Sequence, residues 1–139
     1  MILLDTSGLL AALFDDQRHH EECAEVLRNA EGPLILSPFV LAETDYLIQK
    51  YAGVNAEIMF LEDVERGAYK LVNFIHDDMQ NMRIMVRRYK DLNIGIADAS
   101  LIVLADRFDC RDVLTLDIRH FRATRPTTKK SFRILPADL

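Results

Sequence analysis

The sequence predicts an α/β protein, a three-layer α/β/α sandwich around a mainly parallel central sheet. Short runs of strand length recur along the chain, and stretches with helical patterning separate them. The first run, Ile2-Leu3-Leu4, is apolar throughout, as a strand covered on both faces should be. With 139 residues, half of them hydrophobic, the chain is one domain's worth and can bury roughly 70% of its unfolded surface. No repeat, low-complexity tract or linker divides residues 1–139.

After the first strand, Ser7-Gly8 opens a helix over 9–14, with Ser7 as its cap. A second helix is predicted over 20–29, stopped by Gly32-Pro33. Residues 34–36 form the next strand, and Ser37-Pro38 launches a helix to about Tyr51 that ends at Gly53. Asn55 caps a helix over 56–65, closed by Gly67. Residues 69–72 are a third strand, and His76-Asp77-Asp78 begins a helix to about Tyr89. On that helix Met79, Met82, Val86 and Tyr89 form an expected core stripe, and Arg83, Arg87 and Lys90 a basic one. Residues 95–108 read as an amphipathic helix with Ala97, Leu101, Leu104, Ala105 and Phe108 inward. Residues 113–116 are a strand, 118–121 a helical turn, and 132–135 a last strand before Pro136.

No apolar run approaches the ~20 residues of a membrane span, and the start of the chain lacks the basic region of a signal peptide. Cys23 and Cys110 stand apart without metal or redox spacing, so reduced thiols in a cytoplasmic protein are expected. The net charge of −5 argues against a general polyanion binder, but its distribution is uneven. Arg119, Arg122, Arg125, Lys129, Lys130 and Arg133 follow one another with no Asp or Glu between them. Such a patch suits contact with a polyanion or an acidic protein partner, or is simply a solvated loop.

Four acids stand out. Asp5 and Asp117 each end an apolar strand, where open α/β sheets build ligand sites. Glu43 lies on an apolar stripe with Phe39, Tyr46 and Leu47, where an unpaired charge would cost several kcal/mol. Asp98 falls in the first turn of its helix. Each has an ordinary explanation alone: helix capping for Asp5 and Asp117, a salt bridge for Glu43, the helix dipole for Asp98. Gathered together, however, carboxylates repel unless protons or a cation intervene. A divalent metal held by oxygen is the economical explanation, which makes the chain a candidate metal-dependent phosphodiesterase.

Asp5-Thr6-Ser7, Leu41-Ala42-Glu43, Ala97-Asp98-Ala99-Ser100-Leu101, and Thr115-Leu116-Asp117 followed by His120-Phe121 resemble the four motifs of PIN-domain nucleases. Their order and spacing are most similar to the VapC-like toxins of type II toxin–antitoxin pairs. The resemblance implies a magnesium- or manganese-dependent endoribonuclease that cleaves RNA with a metal-activated water and is restrained by a cognate antitoxin. It implies that Asp5, Glu43, Asp98 and Asp117 form the metal site, with Thr6 and Thr115 as supporting hydroxyls. Asp5 and Asp98 would ligate directly. Glu43 would ligate or act through a bound water, and Asp117 would take a second ion or reach the first through water. Oxygen donors without cysteine or paired histidine fit magnesium or manganese independently of the resemblance. Arg119, Arg122, Arg125, Lys129 and Lys130 would form a basic rim for RNA.

The alternative is a PIN-like scaffold that binds RNA or protein without cutting. A haloacid-dehalogenase phosphatase needs a second aspartate where Ser7 stands, and a D-x-S-x-S adhesion site is broken by Leu9. His19 and His20 are expected to be exposed, and His120 to pack or hydrogen-bond at its turn, with contact to substrate as the alternative. The helix over 56–65 has more large apolar side chains than one buried stripe uses: Ile58 and Leu61 share one direction, Met59 and Phe60 point elsewhere. That excess predicts a homodimer contact or an antitoxin groove.

Overall fold

The computed structural model describes residues 1–126 and 130–139. In chain order the elements are β1 (Ile2–Leu4), α1 (Thr6–Leu13), α2 (His20–Arg28), β2 (Leu34–Leu36), α3 (Pro38–Ala52) and α4 (Val54–Glu65). They continue with β3 (Lys70–Leu71), α5 (His76–Arg88), a helical turn Lys90–Leu92, α6 (Ile96–Phe108), β4 (Asp112–Leu114), α7 (Ile118–Ala123) and β5 (Arg133–Leu135). The five strands form one sheet in the order β3-β2-β1-β4-β5, and every neighbouring pair is parallel. The α/β/α architecture is therefore the one the sequence predicts.

The strand order creates the site. From β1 the chain moves outward to β2 and β3, then α5 and α6 carry it back to β4 on the other side of β1. Connections leave β1 and β4 in opposite directions, which opens a crevice beyond the carboxyl ends of these two neighbours. Leu3, Leu4, Ile35, Leu36, Val113, Leu114 and Ile134 are wholly buried beneath it.

Two close contacts fix the crevice walls. A Cβ on Gly8 would lie 2.5 Å from the Leu114 carbonyl oxygen, so only glycine lets the first turn of α1 rest on β4. Ser37 and Ser100 meet with 2.7 Å between hydroxyl oxygens. Ser100 donates its hydrogen to the Ala97 carbonyl (2.6 Å), so Ser37 donates to Ser100 while accepting from the Phe39 amide (3.1 Å). This buried pair ties the start of α3 to α6, the two helices that carry Glu43 and Asp98.

Several local expectations are corrected. Helix α1 begins at Thr6, so Ser7 lies inside it and is not its cap. Helix α4 begins at Val54 after Gly53, whose φ of 91° breaks the chain direction, and Asn55 is not its cap. Helix α6 is not amphipathic: Ala97 and every residue from Ala99 to Ala105 are buried, because α6 packs against α3, α5 and β1 together. On α5 the buried methionines are Met82 and Met85, while Met79 and Val86 are exposed. On α4 the inward direction is that of Phe60, with Ala56 and Val64 half-buried on the same side, and Ile58, Met59 and Leu61 face outward. His19 is exposed as expected, but His20 is half-buried with Nδ1 2.8 Å from the Ala11 carbonyl.

Cys23 and Cys110 are free and buried, and burial pushes the Cys23 thiol up to about 11. Among the described residues no helix is long and apolar enough to cross a membrane.

Candidate active site

Asp5, Thr6, Ser7, Glu43, Asp98 and Asp117 line one cavity of about 440 Å³, with Leu10 and Leu47 as apolar wall. Four separate stretches of chain thus deliver their acids to the β1/β4 crevice: the end of β1, the middle of α3, the first turn of α6, and the loop after β4.

Asp5 is the most enclosed, 5% exposed. It stands before α1 but makes no side-chain cap, so capping does not explain it. Its Oδ2 instead accepts hydrogen bonds from the Thr115 hydroxyl (2.6 Å) and the Ser7 hydroxyl (2.8 Å). Those hydroxyls accept in turn from the backbone amides of Asp117 and Leu116, both at 2.9 Å. Two amides therefore feed two hydroxyls, which converge on one carboxylate oxygen, each bond polarising the next. Burial nevertheless pushes the Asp5 carboxyl up to about 6; the hydroxyls oppose that rise and the charge on Asp98 adds to it.

Asp98 is half-buried, and its carboxyl is raised first by burial. His120 lowers it by hydrogen bond and charge, while Asp117 and Glu43 raise it. Asp117 caps α7, its Oδ1 accepting from the His120 amide at 3.3 Å. The His120 Nδ1 lies 2.8 Å from Asp98 Oδ2 and 3.0 Å from Asp117 Oδ2. One ligand atom from each of Asp98, Asp117 and His120 lies within 4.8 Å of the others, a spacing compatible with a shared cation.

Glu43 is exposed at the cavity mouth and not held in a buried stripe; the buried side of α3 is Val40, Thr44 and Ile48. Its helix turns it toward the acids. The Thr6 hydroxyl is buried without a hydrogen-bond partner among the described residues, although Thr6 lines the cavity. Ser7 makes the contacts with Asp5 that a supporting hydroxyl would make. Its sequence signal was the motif Asp5-Thr6-Ser7 itself, obscured by serine's frequency as a helix cap.

The basic residues do not line this cavity. Arg122 forms a two-pronged pair with Asp138, and Arg125 donates to the carbonyls of Arg122 (2.7 Å) and Thr124 (2.9 Å). Arg119 and Lys130 are exposed. Lys129 lies outside the described residues.

An acidic crevice at the β1/β4 divergence of an all-parallel sheet is the signature of a definable class, and a model of the PIN domain matches residues 2–126. The chain belongs to the PIN-domain family. It is 39% identical over 135 residues to Ribonuclease VapC26 of Mycobacterium tuberculosis (strain ATCC 25618 / H37Rv), covering 97% of this chain and all of that protein. Its fold is similar to the crystal structure of Mycobacterium tuberculosis VapC20, described as a sarcin-ricin loop cleaving toxin. That match has a TM-score of 0.79 and spans 86% of this chain and 92% of the other. At 16% identity it speaks to the fold alone.

Proposed function

We propose that this chain is a magnesium- or manganese-dependent endoribonuclease acting as the toxin of a toxin–antitoxin pair. The observation that carries the reading is the convergence of Asp5, Glu43, Asp98 and Asp117 on one cavity. Similarity along nearly its full length to a protein named as a ribonuclease supports it.

The residues present fit a hard divalent cation. The donors are carboxylate oxygens, with the unpartnered hydroxyl of Thr6 beside them. Asp5 and Asp98 would hold the ion, with Glu43 and Asp117 around it. When bound, such an ion makes water a nucleophile near neutral pH and offsets charge on the scissile phosphate. The chain's own part is orientation. Thr115 and Ser7 hold Asp5 by Oδ2, and Leu10 and Leu47 shield one side of the cavity from water. Without a cation the acids repel RNA, so the metal is needed for substrate binding as well as for cleavage. Arg119, Arg122, Arg125 and Lys130 are all exposed bases of the proposed rim, Arg122 and Arg125 being tied to Asp138 and to backbone carbonyls. Lys129, next to Lys130 in the sequence, belongs to the same proposed rim.

The outward side chains of α3 and α4 (Tyr46, Tyr51, Val54, Ile58, Met59 and Leu61) are the proposed seat of protein partners, a second copy of the chain and the antitoxin. The buried free thiols fit a cytoplasmic protein.

Cleavage of RNA by the purified chain, with magnesium or manganese and then with excess chelator, tests the reading. Chelation should abolish cleavage. Asp98→Asn should reduce it by more than about 100-fold, the upper end of what losing a supporting partner costs at a metal site. RNA that is bound but left intact in every metal would instead identify a binding module.

A further inference from the structure

We propose that His120 is a positioning residue that sets the metal-binding pose of Asp98 and Asp117, an inference that rests on the nuclease reading above. Both partners of Nδ1 are carboxylate oxygens, which accept, so Nδ1 carries the hydrogen and shares it between Asp98 Oδ2 (2.8 Å) and Asp117 Oδ2 (3.0 Å). The backbone amide of the same residue holds Asp117 Oδ1 at 3.3 Å. One residue therefore grips both oxygens of Asp117 and tethers Asp98, which belongs to another helix, by a single oxygen.

His120 is thus a link between the first turn of α6 and the start of α7. Asp98 and Asp117 repel each other, and Glu43 adds to the repulsion on Asp98. Without a shared donor the two carboxylates would part. The α7 backbone that carries His120 is anchored, because the adjoining Phe121 is buried and packs edge-on against Phe132 at 5.3 Å.

The atom that matters is Nδ1, and side-chain length can isolate it. Asparagine places an amide nitrogen near the Nδ1 position, whereas glutamine places it near Nε2. Manganese binding to the full chain, measured by titration calorimetry at fixed pH, would compare the parent with His120→Ala, His120→Gln and His120→Asn. Alanine and glutamine should weaken binding by about 10–100-fold, as loss of a ligand's hydrogen-bond partner does. Asparagine should restore most of it, with all three variants melting close to the parent. Parental affinity in all three, or asparagine as weak as alanine, would overturn the inference; the second outcome is what a directly ligating imidazole would give. If the alanine variant does not fold, the glutamine–asparagine pair still decides. A parent with no saturable manganese binding sinks the metal-dependent nuclease reading too, whereas a parent that binds beside unaffected variants sinks only the role of His120.

Discussion

Asp5 holds an uncomfortable charge, and the discomfort is measurable. Its Oδ2 receives two hydroxyl hydrogens, yet burial leaves the carboxyl at about 6 instead of the ordinary value of 3.8. Between those values the folded protein binds more protons than the unfolded chain, so stability falls as pH rises from about 4 to about 6. Above that window the full cost is present, about 3 kcal/mol from the size of the displacement. Asp5→Asn should therefore melt higher than the parent in metal-free buffer at pH 7, with the gap closing at pH 4. Added manganese should narrow the gap at pH 7 by stabilising only the parent. Thermal melts at the two pH values check this; an Asp5→Asn variant that melts lower at pH 7 would show that the carboxylate is content without a cation.

Helix α1 can rest on β4 only because Gly8 presents no side chain to the Leu114 carbonyl. The same approach brings Ser7 to the Leu116 amide and Asp5 to the Thr115 hydroxyl, so one glycine serves both packing and site. The obstruction is backbone, which cannot swing aside as a flexible side chain would. Gly8→Ala should cost about 3 kcal/mol or more, the upper range for overpacking, and should impair cleavage beyond the loss of folded protein. Urea denaturation beside RNA cleavage per folded molecule would test both parts. Wild-type stability in the variant would mean that α1 shifts freely on β4. The Ser37–Ser100 pair plays the matching role for α3 and α6.

Across the whole molecule the acidic cavity and the outward apolar face of α3 and α4 adjoin, since Leu10, Gln17 and Leu47 line both the cavity and a second pocket that includes Tyr51. Met59 (66% exposed) and Tyr51 (75% exposed) are poorly placed for a chain that works alone, whereas Phe60 on the same helix is 4% exposed and belongs to the core. If that face seats a second copy, Met59→Asp should shift the chain from dimer to monomer in light scattering. Its melting temperature should stay within about 2 °C, since the side chain supports nothing inside the fold. A variant whose size and antitoxin binding both match the parent would remove this face from the partner assignment.

Much of the architecture was legible because hydrophobic period, caps and turn residues are local properties. The order of the five strands and seven helices among the described residues could be read from runs such as Ile2-Leu3-Leu4 and stops such as Gly32-Pro33, and three acids stood out at strand ends and a helix start, with Glu43 within a helix. Which stripe of α4 or α5 turns inward could not be read, since both helices offer apolar residues in more than one direction and their neighbours choose among them. Asp5 meets Thr115 across 110 positions and Asp98 meets His120 across 22, so which oxygen accepts from which donor was decided only by the folded chain. Composition and periodicity constrain residues a few positions apart. Hydrogen bonds between distant segments depend on how the sheet and helices stack, and such bonds hold Asp5 and Asp98 in the cavity that Glu43 and Asp117 also line.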